Sequence, residues 1–119
     1  MKPILPLLLV SLMTGPAAHS QWTTDVSMNT PVRAASGNDA NTPLIADGPD
    51  GSTYVSWFET ANGAFQLRMQ RVDSTGHNLW DNAGLVVSDH QQNSATFRYD
   101  LKSDAHGNAI VAFQDERTG

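Results

Sequence analysis

The chain has 119 residues, of which 39% are apolar and 16% charged, with a formal net charge of −5 and no cysteine. That length allows one small domain, and the missing cysteine excludes disulfides and thiolate metal sites. The acidic balance argues against binding nucleic-acid phosphates, and the low charge density argues against a long disordered tail. In chain order, residues 1–20 read as a signal peptide. Met1-Lys2 is a positive start, and Ile4 to Met13 is an apolar run too short to span a bilayer. Thr14-Gly15-Pro16 breaks the run, and Ala18 and Ser20 set a cut between Ser20 and Gln21. Removing residues 1–20 takes away Lys2 and no acid, so 6 basic and 12 acidic residues remain. The expected location is therefore outside the cell or on its surface, with no transmembrane segment.

Residues 21–43 form a lead-in. Leu44-Ile45-Ala46 then runs into Asp47-Gly48-Pro49-Asp50-Gly51, a dense turn signal, and Thr53 to Glu59 follows as a strand. After the Ala61-Asn62-Gly63 turn, Phe65, Leu67 and Met69 alternate with Gln66, Arg68 and Gln70. That is the period of a half-buried strand. Asp73-Ser74-Thr75-Gly76 turns the chain again, and His77 to Trp80 is expected as a short fourth strand. Gly84 to Ser88 leads out. Phe97 to Leu101 and Ala109 to Phe113 are the expected next strands.

Gly51 to Gly63 lines up with Gly107 to Gly119 at a constant spacing of 56, matching Val55 with Val111, Trp57 with Phe113 and Glu59 with Asp115. Upstream, Leu44 and Asp47 match Leu101 and Asp104 at a spacing of 57, which places an inserted residue near Pro49. A period of this length predicts propeller-type repeats. The expected fold class is all-β, with antiparallel four-stranded blade-like repeats of a β-propeller, about one and a half of them present. The first unit is expected over 44–88 and a second, truncated one over 89–119, with Trp57 packed near Phe113. A propeller needs about four or more blades to close, so the chain reads as the N-terminal part of a longer one.

The Asp-Gly hairpin, the Val55-Ser56-Trp57 strand with Glu59 beyond it, Gln70-Arg71-Val72-Asp73, Gly76 and Leu79-Trp80 together resemble repeats of large secreted proteins of Bacteroidetes and related bacteria. Gln21-Trp22 and Asn29-Thr30-Pro31-Val32 resemble the start of such mature chains. Phe113 stands where that pattern has Trp, and Thr60-Ala61 where it has a charged pair like Glu116-Arg117. The resemblance implies a secreted or surface-displayed propeller array, often followed by a C-terminal type IX secretion sorting domain. Its repeat positions here are Asp47, Gly51, Trp57, Gly63, Gly76, Trp80, Asp104, Gly107, Phe113 and Gly119. They are structural and imply no activity.

Candidate sites are sparse. Asp73, Gly76 and Trp80 are spaced more widely than in the Asp-box of sialidases. Asp47, Asp50 and Asp104 are weak calcium candidates, because carboxylates in glycine-rich loops suit a hard cation; turn-making is their competing role. Glu59 and Asp115-Glu116 suit either an acid–base pair for glycoside hydrolysis or structural acceptors for Arg68, Arg71 or Arg117. His77, His90 and His106 lack metal-ligand spacing, and neither a Gly-x-Ser-x-Gly elbow nor a phosphate loop occurs. Trp22, Trp57 and Trp80 suit sugar stacking or packing. No catalytic residue and no cofactor is assigned. The expected role is a non-enzymatic scaffold or binder of an extracellular protein or glycan, joined to the remaining blades of a longer chain. The alternatives are a glycan-processing propeller enzyme with its catalytic residues elsewhere, and a complete small β-sandwich adhesion module.

Overall fold

The computed structural model describes residues 25, 27–88, 90–96 and 98–117. The signal peptide, Trp22, Phe97 and Gly119 lie outside these. Strands β1 (Ala40–Asp47), β2 (Thr53–Ala61), β3 (Ala64–Val72) and β4 (Leu85–Val86) form one antiparallel sheet in that order. Strands β5 (Asp100–Ser103) and β6 (Ala109–Ala112) form a second, two-stranded sheet.

The β2–β3 hairpin is the backbone of the fold. Asn62 and Gly63 have φ of 51° and 79°, so both central residues of its two-residue turn are left-handed. That geometry matches the twist of the flanking strands and holds all nine pairs from Thr53↔Val72 to Ala61↔Ala64 in register. Side chains alternate across the sheet. Tyr54, Ser56, Phe58, Leu67 and Met69 therefore share one face, and Val55, Trp57, Glu59, Arg68 and Gln70 share the other.

The first face carries the core. Tyr54 and Met69 pack with Leu101 of β5, and Phe58 and Leu67 pack with Ala95, while Val111 of β6 reaches both groups. β5 lies against β1. Tyr99 presents its edge to Phe58 at 5.2 Å between ring centres and 75° between planes. Its hydroxyl donates to the Thr42 carbonyl at 2.7 Å. Thr42 sits in the β1 bulge at φ 48°, so Tyr99 satisfies a carbonyl that the irregular ladder leaves over.

This architecture corrects the propeller expectation. Neither sheet is closed or curled, and the two meet through apolar faces as a β-sandwich-like module. Nothing in it supports a repeat array or an interface with further blades. The fourth strand is Leu85–Val86, pairing with Met69 and Arg68. Residues 77–80 make only the isolated bridge Val72↔Asn78. The physical reason is Gln70, fully buried, whose side chain accepts the Trp80 N–H at 3.1 Å and donates to the Asp81 carbonyl at 2.9 Å. Those side-chain bonds take the backbone groups that a strand ladder would use.

Two finer expectations also change. Phe113 joins the Phe58 and Leu67 group, whereas Trp57 is on the opposite face of β2, because adjacent residues of a strand point opposite ways. The β5–β6 pairs Ser103↔Ala109 and Leu101↔Val111 repeat Asp47↔Thr53 and Ile45↔Val55 at a spacing of 56 throughout. No residue is inserted near Pro49, and Asp104 corresponds to Gly48 rather than to Asp47.

Trp57 is buried over Gly84, which has φ 76°. A Cβ there would lie 2.7 Å from the indole Cη2 and 3.0 Å from the Met69 carbonyl oxygen. Gly84→Ala is expected to destabilise the domain by about 1–3 kcal/mol through overpacking and left-handed strain. Urea unfolding measures this; a cost under about 0.5 kcal/mol would show that the indole yields freely.

Candidate functional site

The outer face of the large sheet holds a buried polar cluster around Glu59. Glu59 projects from β2 on the face opposite the core, and its side chain is 6% exposed. Arg68 comes from β3, one register step away opposite Trp57, within reach for a diagonal pair. Its Nε lies 2.8 Å from Glu59 Oε2, a close ion contact, although the N–H is not aimed along that line. The other carboxylate oxygen receives the Ser36 hydroxyl at 2.8 Å and the Arg33 guanidinium at 3.4 Å.

Arg33 and Ser36 belong to a segment that runs over this face before β1. Backbone bonds hold it there: Ala34 N–H donates to the Asn82 carbonyl at 2.7 Å, and Thr60 N–H to the Asp39 carbonyl at 2.9 Å. Arg33 also donates to the Asn38 carbonyl, so one guanidinium ties the segment to itself and to Glu59. Beside the cluster lies an open hollow of about 280 Å³, lined by Val32, Arg33, Ala40, Pro43, Val55 and Trp57. It offers an apolar floor with one cation at its side.

Of the three arginines considered for Glu59, Arg68 meets it. Arg71 donates to Ser52 Oγ at 2.9 Å and stacks 5.7 Å from the Tyr54 ring centre. Arg117 is paired with Asp115. Glu116 accepts the Asn93 N–H at 2.8 Å, so the two glutamates share no hydrogen-bond partner. Arg33 and Ser36 are neighbours of Glu59 that sequence reasoning missed; the local signal was the Ser36-Gly37-Asn38 turn following an arginine.

Asp104 closes its own loop. Its Oδ1 accepts the N–H groups of His106 and Asn108, each at 2.8 Å, and Oδ2 accepts Asn108 Nδ2 at 2.9 Å. Asp73 does the same, accepting from the Thr75 and His77 N–H groups at 2.8 and 2.9 Å. Both loops have the same backbone closure, from Asp104 N–H to the Asn108 carbonyl and from Asp73 N–H to the His77 carbonyl. The Gly48–Ser52 loop shares it too, but there the Ser52 hydroxyl donates to the Pro49 carbonyl at 2.6 Å. Asp50 sits within this third loop at φ 57°, and Asp47 ends β1. Among the described residues no three His, Asp or Glu side chains gather as a metal-holding group.

Gly51, Gly76 and Gly107 all lie at positive φ in these loops. The Gly107 carbonyl accepts the Tyr54 hydroxyl at 2.7 Å, and its α-carbon leaves no room for a side chain beside the Pro49 ring. Trp80 packs on Tyr54 at 6.0 Å within the core. His77 meets Asp73 and Thr75 at an exposed turn.

The His77 N–H and the Thr75 hydroxyl hold the Asp73 carboxyl well below its ordinary value of 3.8, at about 2. Asp104 is lowered as well, by the Asn108 side chain first. A carboxyl lowered on folding stabilises the fold above its ordinary value and loses that contribution as pH falls through the lowered one. Carbon-13 titration of the carboxyl shifts is expected to give Asp73 a midpoint of about 2. A midpoint near 4, the ordinary carboxylate range, would mean the loop is open in solution.

Searches against protein-family models, curated proteins and solved structures return no match for this chain. The likeness to secreted Bacteroidetes propeller repeats therefore has no support from relatives, and the open sheets remove its structural basis.

Proposed function

We propose that this chain is a non-catalytic binding or scaffold module of β-sandwich-like form, exported through its N-terminal segment. The observation that carries the first part is the state of Glu59. It is the buried acid best placed for chemistry, and Arg33, Arg68 and Ser36 already occupy its oxygens. A carboxylate held by two cations anchors a loop; it is poorly suited to deliver a proton. The acids at 73, 104 and 116 are likewise engaged by backbone N–H groups. Export rests on the positive start, apolar run and small-residue cut site of residues 1–20.

The test has two arms. Purified protein is assayed on a panel of aryl glycosides and polysaccharides, with Glu59→Gln beside it. No turnover is expected from either; turnover by the wild type that vanishes in E59Q would overturn the non-catalytic reading. Residues 1–24 fused to a reporter are expected to export it with Gln21 as the new N-terminus. Retention in the cytoplasm would overturn the export reading.

A further inference from the structure

Residues 31–39 lie across the outer face of the large sheet, and none of them is buried. Neither apolar cluster of the core includes a residue of this stretch. Its ties to the sheet are polar. The Pro31 carbonyl accepts Asn78 Nδ2 at 3.2 Å, and Ala34 N–H donates to the Asn82 carbonyl. The Asp39 carbonyl accepts the Thr60 N–H, and Arg33 and Ser36 meet Glu59. Trp57 and Glu59 beneath it are nevertheless only 3% and 5% exposed. Two buried polar atoms on this side, Trp57 Nε1 and Asn78 Oδ1, have no hydrogen-bond partner.

We propose that residues 31–39 are a detachable strap, which opens as one unit while both sheets stay folded and uncovers Trp57 and the Glu59–Arg68 pair. Segments with few buried apolar contacts open below the free energy of global unfolding. Lifting this one leaves the packing of Tyr54 with Leu101 and of Phe58 with Leu67 intact. Water reaching Trp57 Nε1 and Asn78 Oδ1 offsets part of the cost, because an unpaired buried polar group is unfavourable. Glu59 is the common anchor, met by Arg33 from the strap and by Arg68 from β3. On opening the carboxylate therefore keeps one cation and is not stranded as an uncompensated buried charge. The hollow loses its Val32 and Arg33 wall and keeps Ala40, Pro43, Val55 and Trp57. The uncovered surface then carries an indole, a carboxylate and a guanidinium together. This goes beyond the binding or scaffold reading and does not depend on it.

Hydrogen exchange read by NMR on the full chain tests it. The Ala34 and Thr60 amides and the Trp57 indole N–H are expected to share one opening equilibrium. That opening is expected to be at least about tenfold more populated than the one that frees the amides of residues 54–58. Arg33→Gln removes the charged bond from the strap to Glu59. It is expected to speed exchange at the three strap-covered sites about tenfold and to leave residues 54–58 unchanged. Ser36→Ala, which removes the neutral bond to the same oxygen, takes its place if Arg33→Gln does not fold, with a rise of about fivefold. Strap sites as protected as residues 54–58 would overturn the proposal. So would Ala34 and Thr60 opening independently, an indole that exchanges only with the core, or a variant that speeds every amide alike.

Discussion

Phe58→Ala is expected to remove about 4–6 kcal/mol of the domain's stability. Phe58 is 1% exposed and packs with Leu67, which is fully buried, and with Ala95. Truncating a buried phenylalanine costs about 3–5 kcal/mol, from lost transfer energy and the cavity left behind. The edge contact with Tyr99 adds about 1 kcal/mol to that loss. A small domain holds only about 5–15 kcal/mol in total. Ala95 also comes from the loop that precedes β5, so the cavity opens where the second sheet docks. Urea denaturation followed by tryptophan fluorescence measures the effect. A loss below about 1 kcal/mol would show that the second sheet collapses into the space.

Glu59→Gln is expected to cost about 3 kcal/mol, because it leaves Arg33 and Arg68 beside a neutral group in a largely buried place. Both arginine side chains keep about a fifth of their surface exposed, which holds the figure at the low end of that for buried pairs. The double variant Glu59→Gln/Arg68→Gln is expected to recover part of the loss, since it removes one unpaired charge. Hydrogen exchange adds a local reading. The Thr60 N–H bonded to the Asp39 carbonyl and the Ala34 N–H bonded to the Asn82 carbonyl are expected to lose protection first. Their loss would release the segment that walls the hollow. A variant as stable as the wild type, with both amides protected, would mean that the backbone bonds alone hold the segment.

The long strands were legible because their signals are local. Phe65, Leu67 and Met69 alternate with polar residues, and Asn62-Gly63 is a turn that fixes its own register. β4 was not legible. Leu85–Val86 is two residues long and exists only through its pairing with Met69 and Arg68. Trp80 suggested a strand by its size, but the deciding residue was Gln70, ten positions away. The propeller expectation failed for a related reason. A period of two hairpins in the sequence does not specify whether their sheets curl about an axis or stack through their faces.

Within the site, Glu59 and Arg68 could be located from strand positions. Arg33 and Ser36 could not, because the segment before β1 has no periodicity and is placed by backbone bonds to Asn82 and Thr60. Matching Asp47 with Asp104 followed residue type. The closing bonds of the two turns align Gly48 with Asp104 instead.

Three turns of one shape thus differ in how they respond to acid. The turns at 73–77 and 104–108 are latched by ionised carboxylates, and the turn at 48–52 is latched by a hydroxyl. Below about pH 2, where Asp73 takes up its proton, that turn loses an anionic acceptor; Ser52 has nothing to titrate. The linkage between β1 and β2 therefore keeps its latch in strong acid, while the β5–β6 turn loosens. Strong acid is expected to loosen both the turn after β3 and the turn of the smaller sheet while the β1–β2 turn stays closed.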